Sequence, residues 1–76
     1  MDLEFRYNKL KGRIVEVYES QDRFAKALGI SPSALSSRLN NTTEFSQREI
    51  LQAIKLLGIS ADEMEAYFFK PKVKKS

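Results

Sequence analysis

The sequence predicts an all-α fold, a compact bundle of five short helices, on three observations. Apolar residues recur at helical spacing in five separate segments. Helix punctuation is dense: Ser20, Ser31, Ser46 and Ser60 precede four of those segments, and Gly29 and Gly58 close two. Strand-like alternation is confined to the two ends of the chain.

The first helix is expected from Lys9 to Tyr18, capped by Asn8, with Leu10, Ile14, Val17 and Tyr18 on one stripe. Gly12 lies inside it at a cost of about 1 kcal/mol against alanine, which a close helix contact would justify. Ser20 then caps the second helix, whose inner face carries Phe24, Ala25 and Leu28. Gly29 stands where the chain must turn left-handed, a conformation glycine adopts without steric penalty. Ile30 plugs the turn, Ser31 caps the third helix, and Pro32 takes its first position, where a missing N–H costs nothing. Leu35 and Leu39 face inward from that helix. This is the pattern of a helix-turn-helix, a motif whose second helix enters the DNA major groove.

Helix four starts with Ser46 and Glu49 as a capping box and Phe45 with Ile50 as a hydrophobic staple. Ile50, Ile54 and Leu57 continue its stripe until Gly58. Helix five repeats the device, with Ser60 and Glu63 as the box and Ile59 with Met64 as the staple. At the ends, Leu3, Phe5 and Tyr7 alternate with charged residues, and Tyr67 to Val73 is β-permissive, with Pro71 allowed only at an edge. Two outcomes stay open there: a small terminal β ribbon, or an extension of helix five followed by a frayed tail.

Seventy-six residues imply one domain, read as a helix-turn-helix unit over 1–69 and a basic tail over 70–76. The chain has no cysteine and no histidine, which removes thiolate sites and the commonest general base and metal ligand. The adjacent acids Asp62 and Glu63 fit a helix first turn, where negative charge is favourable. No enzyme activity, cofactor or metal is expected. No apolar run approaches the roughly 20 residues that span a bilayer, and no signal peptide opens the chain, so a cytoplasmic protein without a membrane partner is expected. Lys70, Lys72, Lys74 and Lys75 supply four positive charges; the whole chain carries +3, so residues 1–69 sum to −1. Within that body the cations weight the first half and the acids the second, a layout that suits one phosphate-facing side.

Gln21, Ala25, Gly29, Ser31 and Leu35 resemble the helix-turn-helix of the lambdoid repressor and Cro proteins, the XRE-type class. Leu57-Gly58-Ile59-Ser60 is similar to that class's closing segment, and the resemblance covers roughly residues 8–66. The segments 10–16 and 67–73 resemble, more narrowly, short phage and prophage proteins without an assigned function. The chain departs from the broad class at Arg38, where an aliphatic core residue is usual and a slight rotation of helix three is implied. Asn40-Asn41 also stands for Asn-Gly, and Phe24 for leucine.

The resemblance implies a lambda-repressor-like bundle acting in a bacterial host, at its nucleoid, as a sequence-specific regulator. It would bind double-stranded DNA as a homodimer on inverted half-sites. A 100° step per residue sends Ser33, Ser36, Ser37 and Asn40 outward, and with Ser31 and Pro32 at the tip these would face base edges. Arg38 is the side chain able to grip guanine or a phosphate with two bonds. Gln21, by the resemblance, and Asn41, Thr42, Thr43, Lys70 and Lys72 would contact phosphates. Tyr67, Phe68 and Phe69 are the candidate dimer contacts. The alternative is a protein–protein interaction module that binds another regulator or a host protein. The negative body and the short polar side chains of helix three keep that reading open beside the main one, DNA binding.

Overall fold

The computed structural model describes residues 4–71. Its order is α1 (Asn8–Tyr18), α2 (Gln21–Leu28), α3 (Pro32–Leu39), α4 (Gln47–Leu57), a 3-10 turn (Ala61–Glu63) and α5 (Met64–Phe68). The all-α class and the five helices are as the pattern predicts. The two glycine stops also form as expected: Gly29 and Gly58 both take the left-handed conformation, at φ 84° and 64°.

Three local outcomes differ from expectation. Asn8 is the first helical residue of α1, so the cap position falls on Tyr7, which makes no side-chain cap bond. The end of α1 turns left-handed at Glu19 (φ 71°), a non-glycine residue, and its N–H is bonded to the Val15 carbonyl. Helix five begins as a 3-10 turn. There the Glu63 carboxylate accepts from the Ser60 N–H (3.5 Å) and also from its hydroxyl (3.1 Å). The Ser46 box is tighter, with reciprocal bonds of 3.1 Å to and from Glu49.

The core is one cluster fed by every helix: Leu10 and Ile14, Phe24, Ala25 and Leu28, Leu35 and Leu39, Ile50, Ala53 and Leu57, then Tyr67 and Phe68. Each large apolar side chain buried this way contributes about 1.5–3 kcal/mol. Ala25 is fully buried where α2 meets α3, and its single methyl lets the two helices approach. Gly12 has no such role. A Cβ built there meets nothing within 4 Å, so no helix contact explains it.

Among the described residues the terminal ribbon is a single antiparallel bridge between Phe5 and Pro71, with the Arg6 N–H bonded to the Lys70 carbonyl at 2.7 Å. Aromatic edges carry the rest of this junction. Tyr7 meets Phe45 at 5.5 Å, Phe45 meets Phe68 at 5.4 Å, and Phe5 meets Phe69 at 6.4 Å, all edge-on. They fasten the N-terminal segment to the loop before α4 and to the end of α5.

Candidate functional site

The joints of the helix-turn-helix are built by local bonds. The Ser20 hydroxyl accepts from the Arg23 N–H at 3.2 Å, and the Ser31 hydroxyl accepts from the Ala34 N–H at 3.1 Å. The Ile30 N–H reaches back to the Ala25 carbonyl (3.0 Å), closing the left-handed turn at Gly29. Pro32 opens α3, and Leu35 and Leu39 are buried, so the helix lies in the orientation that an aliphatic a/d-like pair sets.

The outer face of α3 is therefore made of small, uncharged groups. Ser31, Pro32, Ser33, Ser36 and Asn40 are exposed, and Ser37 is half-buried. Their polar atoms already pair locally: the Ser31 and Ser33 hydroxyls lie 3.3 Å apart, and the Asn40 amide donates to the Ser36 hydroxyl at 3.3 Å.

Arg38 points to α4. Its Nε donates to Glu49 Oε1 at 2.7 Å and its Nη2 to Oε2 at 3.0 Å, a two-bond fork, while Nη1 donates to the Ala34 carbonyl at 2.9 Å. The side chains are only 20% and 17% exposed. Burial by itself would push the Glu49 carboxyl up. The Arg38 hydrogen bonds, the Ser46 N–H and the Arg38 charge outweigh it and hold the carboxyl below its ordinary value. The residue that sequence reading singled out as the one bidentate reader thus ties α3 to α4.

The flanking loop is similarly occupied. Asn41 sits left-handed (φ 63°), and its amide clasps Phe5 like a strand edge. Oδ1 accepts from the Phe5 N–H at 2.8 Å, and Nδ2 donates to the Phe5 carbonyl at 3.0 Å. The N–H groups of Thr42 and Thr43 both turn back to the Ser37 carbonyl, at 2.8 and 3.3 Å. At the start of α4 the Glu49 carboxylate accepts from the Ser46 N–H, so a negative charge already stands beside that helix start. The hydroxyl-bearing side chains of Thr42 and Thr43 remain exposed, as does Lys70, and Gln21 is half-buried at the start of α2. Lys72 lies outside the described residues.

Of the three aromatic residues near the C-terminus, Tyr67 (8% exposed) and Phe68 (2%) belong to the core, and Phe69 (43%) shows a face to solvent. The Tyr7 phenol is pushed above its ordinary value, first by burial and then by the Glu44 charge. Among the described residues no group of three or more acidic, histidine or cysteine side chains could hold a metal ion. Among the described residues no helix is long and apolar enough to cross a membrane.

Two residues that matter here escaped the sequence reading: Glu49 as the partner of Arg38, and Phe5 as the partner of Asn41. The first left a signal, since an arginine in an apolar slot of α3 calls for an acid on the neighbouring helix. The second left none.

Residues 3–71 match the family described as "Protein of unknown function (DUF739)", and the chain belongs to that family. Among solved structures it is similar to the solution structure of the modulator of repression (MOR) of the temperate bacteriophage TP901-1 from Lactococcus lactis. That likeness has 34% sequence identity and a TM-score of 0.77, and it covers 92% of this chain and 95% of the phage protein. No curated protein matches the chain. The expectation of a short phage-type protein agrees with this likeness; assignment to the repressor and Cro class in particular is not what it carries.

Proposed function

We propose that this DUF739 chain is a phage regulatory protein that acts by binding another regulator, a transcriptional repressor, through the exposed face of its helix-turn-helix. The observation that carries this reading is the Arg38–Glu49 clasp. Among the described residues it withdraws from α3 the side chain with the strongest base-reading geometry, and it sets a carboxylate at the start of α4. A DNA-reading face gains its affinity from cations that displace counterions from phosphates, and the outer face of α3 carries none. Serine and asparagine on a rigid, well-capped helix suit a protein surface, where short polar groups pair with backbone and side-chain partners. The likeness to a phage modulator of repression supports a repressor as the class of partner.

The rival reading is sequence-specific duplex binding by a homodimer through the same helix. The motif geometry favours it, because both helices, the glycine turn and the Ser31-Pro32 start are all in place. One paired experiment separates the two. The purified chain is titrated against the repressor of its own phage or prophage, and separately carried through selection of bound duplexes from a random library. Saturable repressor binding that Ser36→Arg weakens, with no enriched sequence, supports the proposal. Enrichment of an inverted repeat with half-sites one turn apart, without repressor binding, overturns it.

A further inference from the structure

We infer that the corner where α1 begins is a second binding surface, a phosphate-holding cleft for the backbone of duplex DNA, used without regard to base sequence. Two adjoining clefts open there. One, of about 370 Å³, is lined by Arg6, Asn8, Lys11 and Asn40 among others; the second, of about 180 Å³, by Arg6, Asn8, Lys9 and Lys70. Arg6 and Asn8 are common to both, so the two form one continuous surface. No acidic side chain lines either cleft. The three ion pairs among the described residues use Arg13, Arg23 and Arg38, and none of the cleft cations.

The placement of these cations runs against the stability of the fold. Acids stand in the first turns of α2, α4 and α5 and in the 3-10 turn; α1 and α3 have none, and of these two α1 carries Lys9 and Lys11 at its start. A helix start favours negative charge, so these lysines repel the partial charge beside them. An external anion satisfies both at once. The Lys9 ammonium lies 4.8 Å from the centre of the Tyr67 ring, a contact that holds it without neutralising it.

The chemistry points to phosphodiesters rather than an acidic protein. The clefts present point charges, one guanidinium fork and the neutral amides of Asn8 and Asn40, a set matched to phosphate oxygens spaced along a strand. They present no exposed aromatic anchor of the kind that centres a protein interface: Tyr7 and Leu39 behind them are buried, and Phe5 is turned onto Tyr7 and Phe69. This surface meets the outer face of α3 at Asn40 alone, and its cations lie on other elements, so it does not depend on what that face binds.

The test uses the whole chain and a random-sequence 20-base-pair duplex labelled for fluorescence anisotropy, titrated across a salt series near neutral pH. Binding without preference between unrelated duplexes is expected, with log K falling linearly against log salt. Arg6→Gln/Lys11→Gln removes two phosphate contacts, so the slope should lose about 1.8 in magnitude, and Lys11→Gln/Lys70→Gln should do the same if the first pair unfolds. Repressor binding, measured on the same variants, should stay unchanged. An unaltered slope in both folded double variants overturns the inference, as does loss of duplex binding only when Lys72, Lys74 and Lys75 are replaced. Failure of the wild-type chain to bind duplex, with repressor binding lost in the cleft variants, also overturns it and makes the cleft a protein contact. If repressor binding is absent throughout while the slope changes as stated, the cleft stands and the proposal for α3 falls.

Discussion

Replacing Arg38 with alanine separates a structural clasp from a DNA reader, because the two roles predict effects on different measurements. The guanidinium makes three hydrogen bonds, two of them to a carboxylate that is 17% exposed. Alanine leaves the Glu49 carboxylate with the Ser46 N–H and a narrow access to water. Breaking a fully buried ion pair costs about 3–5 kcal/mol. With about a fifth of each side chain still reaching solvent, a loss of about 2–3 kcal/mol is expected. A domain of this size holds only about 4–11 kcal/mol in all, so the melting temperature should fall by about 10–20 °C. Circular-dichroism melts and urea titrations read this directly. The pH dependence has a definite sign. Glu49 is held below its ordinary carboxylate value, so its contribution is complete above that value and disappears as pH falls through the lower folded one. A double-mutant cycle with Glu49→Gln should therefore give about 1–2 kcal/mol of coupling at pH 7 and much less in acid. If Arg38→Ala melts within about 2 °C of wild type, the clasp is not closed in solution and Arg38 is free to grip a ligand.

Three further outcomes follow from the same geometry. Gly12→Ala should stabilise the chain by about 0.5–1 kcal/mol, since the added methyl meets no atom within 4 Å and the helix gains a better former; a lower melting temperature would reveal a contact at that face. Asn41→Gly keeps the left-handed turn but removes both bonds to Phe5, at a cost of about 1–2 kcal/mol. Faster amide exchange at Phe5 should accompany it, and unchanged protection there would disprove the clasp. Phe68→Ala should cost about 3–5 kcal/mol and Phe69→Ala no more than about 1, because the first ring is sealed in the core and the second is half in solvent. Equal losses in urea titrations would contradict that division.

What the sequence disclosed was chemistry whose partners lie within a few residues of one another. Ser20, Gly29, Ser31, Pro32 and Ser46 act on their own turn of helix, and each is found where its residue type places it. The start of α1 was misread for the opposite reason. Segment 4–7 is held by Asn41 and by Lys70, 36 residues and more away in sequence, and Tyr7 enters the cap position under that restraint. No local pattern encodes such a contact. Helix five was seen to exist, yet it opens in a 3-10 turn, with the Glu63 N–H bonded to the Ser60 carbonyl at 3.0 Å and the Ser60 hydroxyl donating to the Glu63 carboxylate. Arg38 is the most instructive case. A charged residue in an aliphatic slot implied a rotated helix. Instead Leu35 and Leu39 keep their buried places and the long arginine reaches sideways to α4.

That sideways reach bears on how a fold and a function come apart. A helix-turn-helix needs its capped helices, its glycine turn and its inner apolar residues to fold, and none of these touches a ligand. Reading DNA needs something further, namely a donor fork on the outer helix and an open anion seat at the next helix start. A single carboxylate, Glu49, bears on both of those further needs from inside the protein. It bonds the Arg38 fork and it accepts the Ser46 N–H at the start of α4. Because the Glu49 carboxylate also accepts the Ser46 N–H in the capping box of α4, removing it costs stability as well as freeing the arginine, so the clasp and the fold reinforce each other. The motif can thus persist as a rigid platform while its surface is given over to a different kind of partner, and the identity of that partner has to be sought in the exposed side chains rather than in the fold.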